Sequence, residues 1–540
     1  MTRYALVGLL TAAALGAALS ALLVSPWWWL PAAAVAAVAL TGLYDLVQRR
    51  HSVLRNYPVL GHLRFLMESL RPELQQYFVE RNYDGRPFDR DTRSIVYERA
   101  KGVDAEEPFG SERDMSARGY EFLVPSMAPA DVPEEPPRVR VGGPDCTAPY
   151  DMALLNVSAM SFGSLSANAV LALNTGAARG GFAQDTGEGG LSEYHLRPGG
   201  DLVWEIGTGY FGCRTRDGDF DERQFAEKAA HPSVRCVSLK LSQGAKPGIG
   251  GVLPGSKVNA EIAGVRGVPR GETVVSPPYH RVFSTPRELV RFLARLRELA
   301  HGKPVGFKLC PGSRAQFLAV CKAMTAEGIT PDFIVVDGAE GGTGAAPLEF
   351  ADHLGMPLTE GLFTVHSALT GSGLRDRIRL GASGKVATGS DIVKRLALGA
   401  DYTNAARAMM FAVGCIQAQR CHTNRCPTGV TTQDPRRARA LDVVDKAARV
   451  TRYQRATLHS ALQIMAAMGV RDASELGPHL LQRREDHGGF RSYAELYPWL
   501  SPGELLAAPP RSWAADWQAA DPDTFTPASA PRTPLYERNH

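Results

Sequence analysis

The sequence lacks an excess of charge of either sign. Lysine and arginine total 60, and aspartate and glutamate total 56, which leaves a formal net charge of +4. Proteins that bind nucleic acid concentrate positive charge, so this balance predicts no nucleic-acid partner.

Cysteine is scarce, with eight residues in a chain of 540. Short secreted proteins held by disulfides are dense in cysteine, so a disulfide framework is excluded. Three of the eight fall within twelve consecutive positions near residue 420. The other five are scattered and are predicted to be buried small apolar side chains: Cys146, Cys213, Cys236, Cys310 and Cys321.

Charge is missing altogether from residues 4–44. A membrane-spanning helix needs about 20 apolar residues, so this run is long enough for two. The motif "SPWWWLP" at residues 25–31 interrupts the run, and tryptophan favours the membrane–water interface. We predict a two-helix transmembrane hairpin, with helices at about residues 4–24 and 27–46. A signal peptide is the alternative, but its apolar core is much shorter than this run.

Basic residues flank the hairpin, with Arg3 before it and "QRRH" at residues 48–51 after it. Positive flanks are typical of the cytoplasmic side of a membrane. We therefore expect a protein of the inner or cell membrane whose catalytic domain is cytoplasmic, where thiols stay reduced.

From about residue 151 the pattern changes to short apolar runs that end in glycine or small polar residues, such as "PVGFKLC" and "FIVVDG". Helical patterns lie between several runs, and the clearest begins with Ser284 or Thr285 as N-cap and ends at Gly302. Strands alternating with helices predict an α/β fold, here a (β/α)8 TIM barrel. A doubly wound open sheet is the competing fold, although Pro254 interrupts the candidate glycine motif "GIGGVLPG".

These patterns predict four segments. The transmembrane hairpin occupies residues 1–48, a helical and extended linker region 49–149, the barrel 150–435 and a helical C-terminal extension with a tail 436–540. The linker region contains the proline-rich stretch "MAPADVPEEPPRVRVGGPD", predicted to be extended. The C-terminal segment is predicted to be helical to about residue 486, and its last thirty or so residues to be extended or disordered.

Two glycine-rich loops, at residues 335–347 and 380–391, follow predicted strands. A glycine loop after the penultimate strand, beside the last strand and a helix N-terminus, is the usual phosphate site of such a barrel. Ordinary strand-to-helix turns are the alternative. The backbone N–H groups that would supply a phosphate site lie near Gly384, Lys385, Ala405 and Ala406.

Lysine stands inside two apolar strand candidates, as Lys240 in "SLKL" and Lys308 in "GFKLC". A lone buried ammonium is costly, so one such lysine indicates a structural ion pair. Two in consecutive strands favour a barrel mouth that holds an anion or a reduced flavin. Lys246, in a glycine-rich loop, is a third cation suited to a substrate carboxylate. Asp185 and Glu188 in "QDTGEGG" would orient an amine or cap a helix.

The clustered cysteines are Cys415, Cys421 and Cys426, at spacing C-x5-C-x4-C, and a proline follows the last. Zinc usually takes four ligands, and His422 is badly placed to share a metal with its neighbour Cys421. Thiolates hold iron–sulfur clusters, and a proline after the last cysteine recurs in ferredoxin-type runs. Three thiolates favour a [3Fe–4S] cluster, and three unremarkable thiols are the alternative.

Five motifs occur in a fixed order: "AMSFGSLS", "TGEGG", "QGAKPG", "GGTGAAP" and "GC-x5-CHTNRCPTGVTTQD". Together they resemble the FMN-binding synthase domain of glutamate synthase, over about residues 150–435. The resemblance implies a (β/α)8 barrel, FMN, a [3Fe–4S] cluster and an oxidoreductase acting on CH-NH2 donors. Such an enzyme makes L-glutamate by reductive amination of 2-oxoglutarate through 2-iminoglutarate.

The resemblance also assigns roles to residues that match the motifs. The cluster ligands would be Cys415, Cys421 and Cys426. Glu188, Gln243 and Lys246 would be the catalytic residues on the substrate side. The flavin pocket would comprise Ser158, Ala159, Met160 and Ser161 along the ring, Lys308 close to it, and Gly341, Gly342, Gly384 and Lys385 around it.

The sequence also departs from the full-length enzymes. It begins "MTRYALVG" and not with a nucleophilic cysteine, and Ile249 replaces an acid common in the "KPGEGG" loop. We expect no glutaminase domain and no nicotinamide domain. Ammonia would come from solution or another subunit, and electrons from ferredoxin or a membrane donor.

Two alternatives to glutamate formation stay open. The first is a related flavoprotein that acts on a different amino or oxo acid, or an electron-transfer subunit of a larger complex. The second is a membrane-tethered binding protein with a degenerate site. The three cysteines and two strand lysines argue against the second alternative.

Overall fold

The computed structural model describes residues 3–48, 50–103, 106, 108–485 and 489–527. Part of the predicted basic flank, Arg49 and the side chain of Arg3, lies outside the described residues, as does the predicted tail beyond residue 527. The chain divides into two compact units, an N-terminal unit of residues 1–90 and a C-terminal unit of residues 91–540.

The N-terminal unit is helical. Its helices are α1 (Arg3–Leu23), α2 (Trp29–Val47), α3 (Ser52–Asn56) and α4 (Gly61–Leu74), followed by a π-helical turn (Gln75–Val79). A short 3-10 turn (Pro26–Trp28) joins α1 to α2, because the prolines of "SPWWWLP" stop the first helix and start the second. Two spans, Tyr4–Leu23 and Pro26–Val47, are long and apolar enough to cross a membrane. The two predicted apolar helices are therefore confirmed.

The C-terminal unit alternates strands and helices. Its strands are β1 (Glu121–Leu123), β2 (Arg138–Val141), β3 (Tyr150–Ala153), β4 (Leu155–Val157), β5 (Gln184–Asp185), β6 (Leu202–Ile206), β7 (Val234–Lys240), β8 (Val252–Leu253), β9 (Val274–Val275), β10 (Val305–Leu309), β11 (Phe333–Asp337), β12 (Arg379–Ser383), β13 (Tyr402–Ala405), β14 (Leu481–Arg484) and β15 (Phe490–Ser492).

The helices of this unit lie mostly between the strands. They are α5 (Arg90–Lys101), α6 (Ala167–Gly180), α7 (Glu193–Leu196), α8 (Glu222–Ala229), α9 (Ala260–Arg266), α10 (Pro286–Leu299), α11 (Arg314–Glu327), α12 (Leu348–His353), α13 (Leu358–Gly371), α14 (Gly389–Ala397), α15 (Arg407–Ala412), α16 (Pro435–Ala438), α17 (Val443–Ala467), α18 (Tyr493–Leu496), α19 (Glu504–Ala507) and α20 (Arg511–Ala519).

Eight of the strands close into a parallel barrel in the order β4, β5, β6, β7, β10, β11, β12, β13 and back to β4. The register places Lys308 beside Lys240 and closes the ring by pairing Ala405 with Val157. The predicted (β/α)8 barrel is confirmed, and the doubly wound open sheet is wrong. Because all eight strands run the same way, every loop after a strand lies at one face of the barrel.

Part of the predicted extended linker is a strand. Residues 138–141 form β2, which pairs antiparallel with β3 just before the first barrel strand. The side chains of Val141 and Met152 pack with Phe333 and Tyr402 of the barrel strands in one buried cluster. This hairpin therefore extends the apolar core of the barrel.

The C-terminal segment is helical in α17, which packs against α6. Val450 sits so close to Gly176 that a Cβ on that glycine would lie 2.7 Å from it. The prediction of helix to about residue 486 is wrong for β14, which pairs with β1 and β15 in a three-stranded sheet. The predicted extended tail is wrong for α20, where buried Trp513 lies under the guanidinium of Arg314.

Candidate active site

The first part of the site is the segment 158–161, directly after β4. The N–H of Ser158 donates to the carbonyl of Ala405 at 3.0 Å, and the Ser158 hydroxyl lies 3.2 Å from that of Ser383. Gly187 of the "TGEGG" loop comes so close that a Cβ there would lie 2.6 Å from the Ser161 nitrogen. Ser158, Ala159, Met160 and Ser161, the predicted flavin-facing residues, thus lie beside the ends of β12 and β13.

The predicted phosphate-binding residues lie at two neighbouring strand ends: Gly384 and Lys385 after β12, and Ala405 and Ala406 at the end of β13. Ser383 and Asn404 are partners in the register of these strands, so the structure brings the four together. Gly384 and Lys385 have φ of 148° and 50°, a turn that leads to Thr388, the N-cap of α14. Such a turn before a helix N-terminus suits backbone recognition of phosphate.

The other predicted glycine loop follows β11. The N–H of Gly341 donates to the carbonyl of Gly338 at 2.8 Å. Gly342 faces Arg407, whose Nε would be 2.7 Å from a Cβ on that glycine, and Arg407 donates to the carbonyl of Glu340 at 2.5 Å. Burial lowers the pKa of Arg407 to about 10. Sequence reasoning missed Arg407, because the hydrogen bond that positions it goes to the backbone carbonyl of a residue on another loop.

Lys308 forms a buried ion pair with Glu205 of β6. Burial alone would lower the pKa of Lys308, but its attraction to Glu205 outweighs the effect of burial and raises that pKa. Burial and the charge of Glu205 raise the pKa of Asp185 to about 8. Lys308 therefore stays charged. Sequence reasoning did not single out Glu205.

Lys240 organises the predicted substrate side. Its Nζ lies 2.8 Å from a carboxylate oxygen of Glu188 and donates to the amide oxygen of Gln243 at 2.8 Å. Burial would raise the pKa of Glu188, but the charge and hydrogen bond of Lys240 lower it. Burial and the positive charge of Lys240 lower the pKa of Lys246. The structure thus brings Glu188, Gln243 and Lys246 together. We call Asp185, Glu188, Glu205, Lys240, Lys246 and Lys308 the strand-end cluster.

The long loop after β7, which contains β8, β9 and α9, adds two residues that sequence reasoning missed. Arg266 is 4% exposed and donates to the carbonyl of Phe162 at 3.1 Å. Burial lowers its pKa to about 10, against the attraction of Glu188. His280 donates through Nε2 to the carbonyl of Lys240 at 2.9 Å. Neither residue belongs to a motif that would mark it.

The cysteines lie on one loop after α15, with Cys421 opening a 3-10 turn (Cys421–Thr423). We call residues 415–426 the cysteine loop. Burial raises the pKa of Cys415 to about 12, and the charges of Cys421 and Cys426 add to that rise. Burial would also raise the pKa of Cys426, but hydrogen bonds from Thr431 and Thr428 lower it to about 7. Within the part of the chain that is described, no three histidine, cysteine or acidic side chains form a group that could hold a metal ion.

Two side chains fix the cysteine loop to the barrel. Gln433 follows the cysteine loop, and its N–H donates to Asn424 Oδ1 at 2.7 Å. The Gln433 side chain donates to the carbonyls of Gly163 and Leu165 at 3.0 and 2.7 Å, in the loop that continues segment 158–161. Asn424, between the second and third cysteines, donates to the carbonyl of Ser256 at 3.1 Å. The cysteine loop therefore borders the same loop that begins at the predicted flavin site.

Comparison with known proteins agrees with this geometry. The sequence profile described as "Conserved region in glutamate synthase" matches residues 150–471. The chain belongs to the glutamate synthase family. It is 38% identical over 484 residues to "Glutamate synthase large subunit-like protein YerD" of Bacillus subtilis (strain 168), covering 82% of this chain and 92% of that protein.

Other relatives match over a smaller part of their length. "Archaeal glutamate synthase [NADPH]" of Methanocaldococcus jannaschii is 35% identical over 322 residues, 59% of this chain and 60% of that one. Among solved structures, a mandelate oxidase mutant with benzaldehyde is 15% identical, with a TM-score of 0.40, covering 77% of this chain and 98% of that one.

Proposed function

We propose that this chain is a glutamate synthase-like oxidoreductase that reductively aminates a 2-oxo acid, 2-oxoglutarate, to L-glutamate with ammonia. The observation that carries the proposal is the strand-end cluster. Its cations and carboxyl groups lie at the same face of the barrel as the glycine loops that suit a flavin phosphate.

The residues of the barrel face fit FMN. Gly384 has no side chain at the predicted phosphate position, where a Cβ would come within 3.3 Å of Leu358 and 3.5 Å of the Gly338 nitrogen. Segment 158–161 and the loops at Gly341, Gly342, Lys385, Ala405 and Ala406 would hold the flavin. When bound, FMN supplies hydride transfer to the imine carbon of 2-iminoglutarate. Lys308, held by Glu205, would hold positive charge near the ring.

Two carboxyl groups of the strand-end cluster differ in protonation. Asp185, with a pKa near 8, keeps a proton at neutral pH, whereas Glu188, paired with Lys240, stays ionised. Forming an imine from a 2-oxo acid and ammonia requires proton transfers to and from oxygen and nitrogen. Two carboxyl groups whose environments separate their pKa values suit acid and base roles, and Lys246 suits a substrate carboxylate.

The cysteine loop suits a [3Fe–4S] cluster by the chemistry of its donors. Burial and the charges of Cys421 and Cys426 raise the pKa of Cys415, and hydrogen bonds favour the thiolate of Cys426. Thiolates around a cluster bind different iron atoms, so they stand further apart than the ligands of a single ion. We propose Cys415, Cys421 and Cys426 as the ligands. A [3Fe–4S] cluster held by these thiolates would supply one-electron transfer, with ferredoxin or another donor as the source of electrons.

We also propose that residues 4–47 anchor the protein in the inner or cell membrane, with the catalytic domain in the cytoplasm. Two spans meet the length and hydropathy of membrane helices, and the hydrophobic side chains Leu15, Leu22 and Leu40 are exposed. Ammonia would come from solution or from a further subunit.

The test is an assay of the purified chain with reduced ferredoxin, ammonium and a panel of 2-oxo acids, with detection of the amino acid formed. We expect glutamate from 2-oxoglutarate, and much slower formation of glutamate by a Lys246→Met variant that retains flavin. Formation of a different amino acid would establish the related flavoprotein as the function. Absence of product with every 2-oxo acid would overturn amination.

A further inference from the structure

Helix α4 of the N-terminal unit carries an exposed apolar face. Leu63, Leu66, Met67, Leu70 and Leu74 are 59%, 53%, 47%, 43% and 40% exposed. At 3.6 residues per turn these positions occupy one continuous arc of about 100°. In a soluble protein such an apolar stripe normally packs against the core. Here the five side chains are exposed.

The sequence places mostly polar residues around the rest of this helix, with Phe65 and Pro72 as exceptions on the far side. Arg64 and Arg71 border one side of the arc, and His62 and Glu73 border the other. Arg64 pairs with Glu68 at 2.8 Å, and both are exposed. Helix α4 is therefore amphipathic, with an apolar face that is wide for its length.

A buried carboxylate fixes where this helix begins. Asp45, near the end of α2, is 0% exposed. It accepts a hydrogen bond from the N–H of Val59 at 2.9 Å, and His62 Nε2 lies 3.0 Å from the same carboxylate oxygen. The first turn of α4 is thus tied to the last turn of α2.

The connecting turn is strained and closely packed. Val59 has φ of 63°, in the left-handed region that a β-branched residue rarely adopts. A Cβ built on Gly42 would lie 3.2 Å from the side chain of Val59 and 3.0 Å from the side chain of Val7. The turn therefore contacts the hairpin where α1 begins and α2 ends, and the bonds to Asp45 hold it there.

The position of this turn determines where α4 lies if the hairpin crosses a membrane. The end formed by the start of α1 and the end of α2 then lies at the membrane surface. Helix α4 starts at this end of the hairpin, so its apolar face would lie close to the acyl chains of the bilayer. Arg64 and Arg71 beside the face suit the anionic headgroups of the cytoplasmic leaflet.

We propose that α4 lies on the membrane surface, with Leu63, Leu66, Met67, Leu70 and Leu74 inserted between lipid headgroups. The partner is the bilayer itself. This inference rests on the membrane anchoring proposed above and extends it from a two-helix anchor to an anchor with a surface helix. An amphipathic helix of this kind is stabilised by the apolar area that it removes from water.

The test uses the full-length protein in vesicles of phosphatidylcholine and phosphatidylglycerol. The photo-reactive residue p-benzoylphenylalanine replaces Leu70 on the apolar face, Ser69 on the polar face as the matched control, or Leu15 within α1. After illumination, mass spectrometry distinguishes adducts to lipid from adducts to protein. We expect lipid adducts at Leu70 and Leu15, with a yield at Leu70 several-fold above that at Ser69.

The three positions separate the two proposals. Lipid adducts at Leu15 together with equal, low yields at Leu70 and Ser69 would overturn the surface helix and leave the anchor intact. Chain-to-chain adducts at Leu70 would show that a second copy covers this face. Absence of lipid adducts at Leu15 would contradict the membrane anchor itself.

Discussion

The strand-end cluster and the cysteine loop differ in how much of their chemistry the chain completes by itself. In the cluster, Lys308 is paired with Glu205 and Lys240 with Glu188, all largely buried. In the cysteine loop, the described residues form no group of three side chains that could hold a metal ion.

The difference follows from the cost of burial. An ionised side chain without a partner is expensive to bury, so the fold must pair its lysines and carboxylates whether or not a ligand is bound. Thiols are neutral when protonated and can be buried without partners. They lose their protons when a metal binds. Substitutions in the strand-end cluster should therefore lower stability, and substitutions in the cysteine loop should lower cofactor content.

The largest effect is expected in the cysteine loop. Cys421→Ser should remove essentially all bound iron and sulfide, because a cluster held by three thiolates loses one ligand. Iron analysis and electron paramagnetic resonance of the anaerobically purified protein measure this. Cys321→Ser, in buried α11, is the matched control and should keep its iron. A purified protein that contains zinc and no iron would contradict the proposed [3Fe–4S] cluster.

In the strand-end cluster, Lys308→Met should lower the free energy of unfolding by about 3–5 kcal/mol, because it leaves a buried carboxylate without its partner. Urea unfolding measures the change. The double variant Lys308→Met with Glu205→Gln removes both charges and should recover part of the loss. If the double variant is no more stable than the single variant, the ion pair is not the source of the effect.

Lys246 tests function without removing an ion pair. Lys246→Met should lower kcat/KM for the 2-oxo acid on the order of 10- to 100-fold, because a charge-assisted hydrogen bond contributes about 1.5–3 kcal/mol. Lys246→Arg, which keeps the charge, should be the less impaired variant. Steady-state kinetics at several substrate concentrations give the comparison. An unchanged kcat/KM in Lys246→Met would remove this residue from the substrate site.

The phosphate site is tested at Gly384. Gly384→Asp should weaken FMN binding by roughly tenfold more than Gly384→Ala, because a negative charge at a phosphate site near a helix N-terminus is unfavourable. Both variants share the backbone strain of φ at 148°, so the difference between them isolates the charge. Flavin titration by fluorescence measures both. Equal affinities would place the phosphate elsewhere.

The last effect is a pH dependence from Asp185. Its folded pKa of about 8 lies above the ordinary value of 3.8, so between these values the folded state binds more protons than the unfolded state. Stability should therefore fall as pH rises from about 4 to 8. Asp185→Asn keeps the oxygen that accepts from the N–H of Gly187 at 2.9 Å and removes the titration.

Chemical unfolding at pH 5 and pH 8 measures this effect. The free energy of unfolding of Asp185→Asn, relative to the unaltered protein, should be higher at pH 8 than at pH 5. A constant difference between the two proteins would show that Asp185 is ionised throughout this range.

Sequence patterns predicted the barrel because most of its strands are continuous apolar runs. Strand β5 has two residues and β6 is interrupted by Glu205, so neither stood out. The partner that makes Glu205 tolerable in the core is Lys308, 103 residues away. A charge inside an apolar segment is explained only when the fold brings its partner to it.

The motif residues of the site are local in sequence and were predictable, as with Glu188, Gln243 and Lys246. Arg266 and Arg407 bond to the backbone carbonyls of Phe162 and Glu340, which lie on other loops. Likewise β14 pairs with β1, more than 350 residues earlier in the chain, so a local helical pattern misled the prediction there. Long-range pairing of this kind leaves no signal in a single sequence.

The most direct test of amination by free ammonia follows an isotopic label. Purified protein with bound FMN receives reduced ferredoxin, 2-oxoglutarate and either 15N-ammonium or glutamine labelled with 15N in its amide, and mass spectrometry follows the label into glutamate. We expect labelled glutamate from ammonium and none from glutamine when free ammonia is removed. Label from the glutamine amide, or no glutamate under either condition, would contradict it.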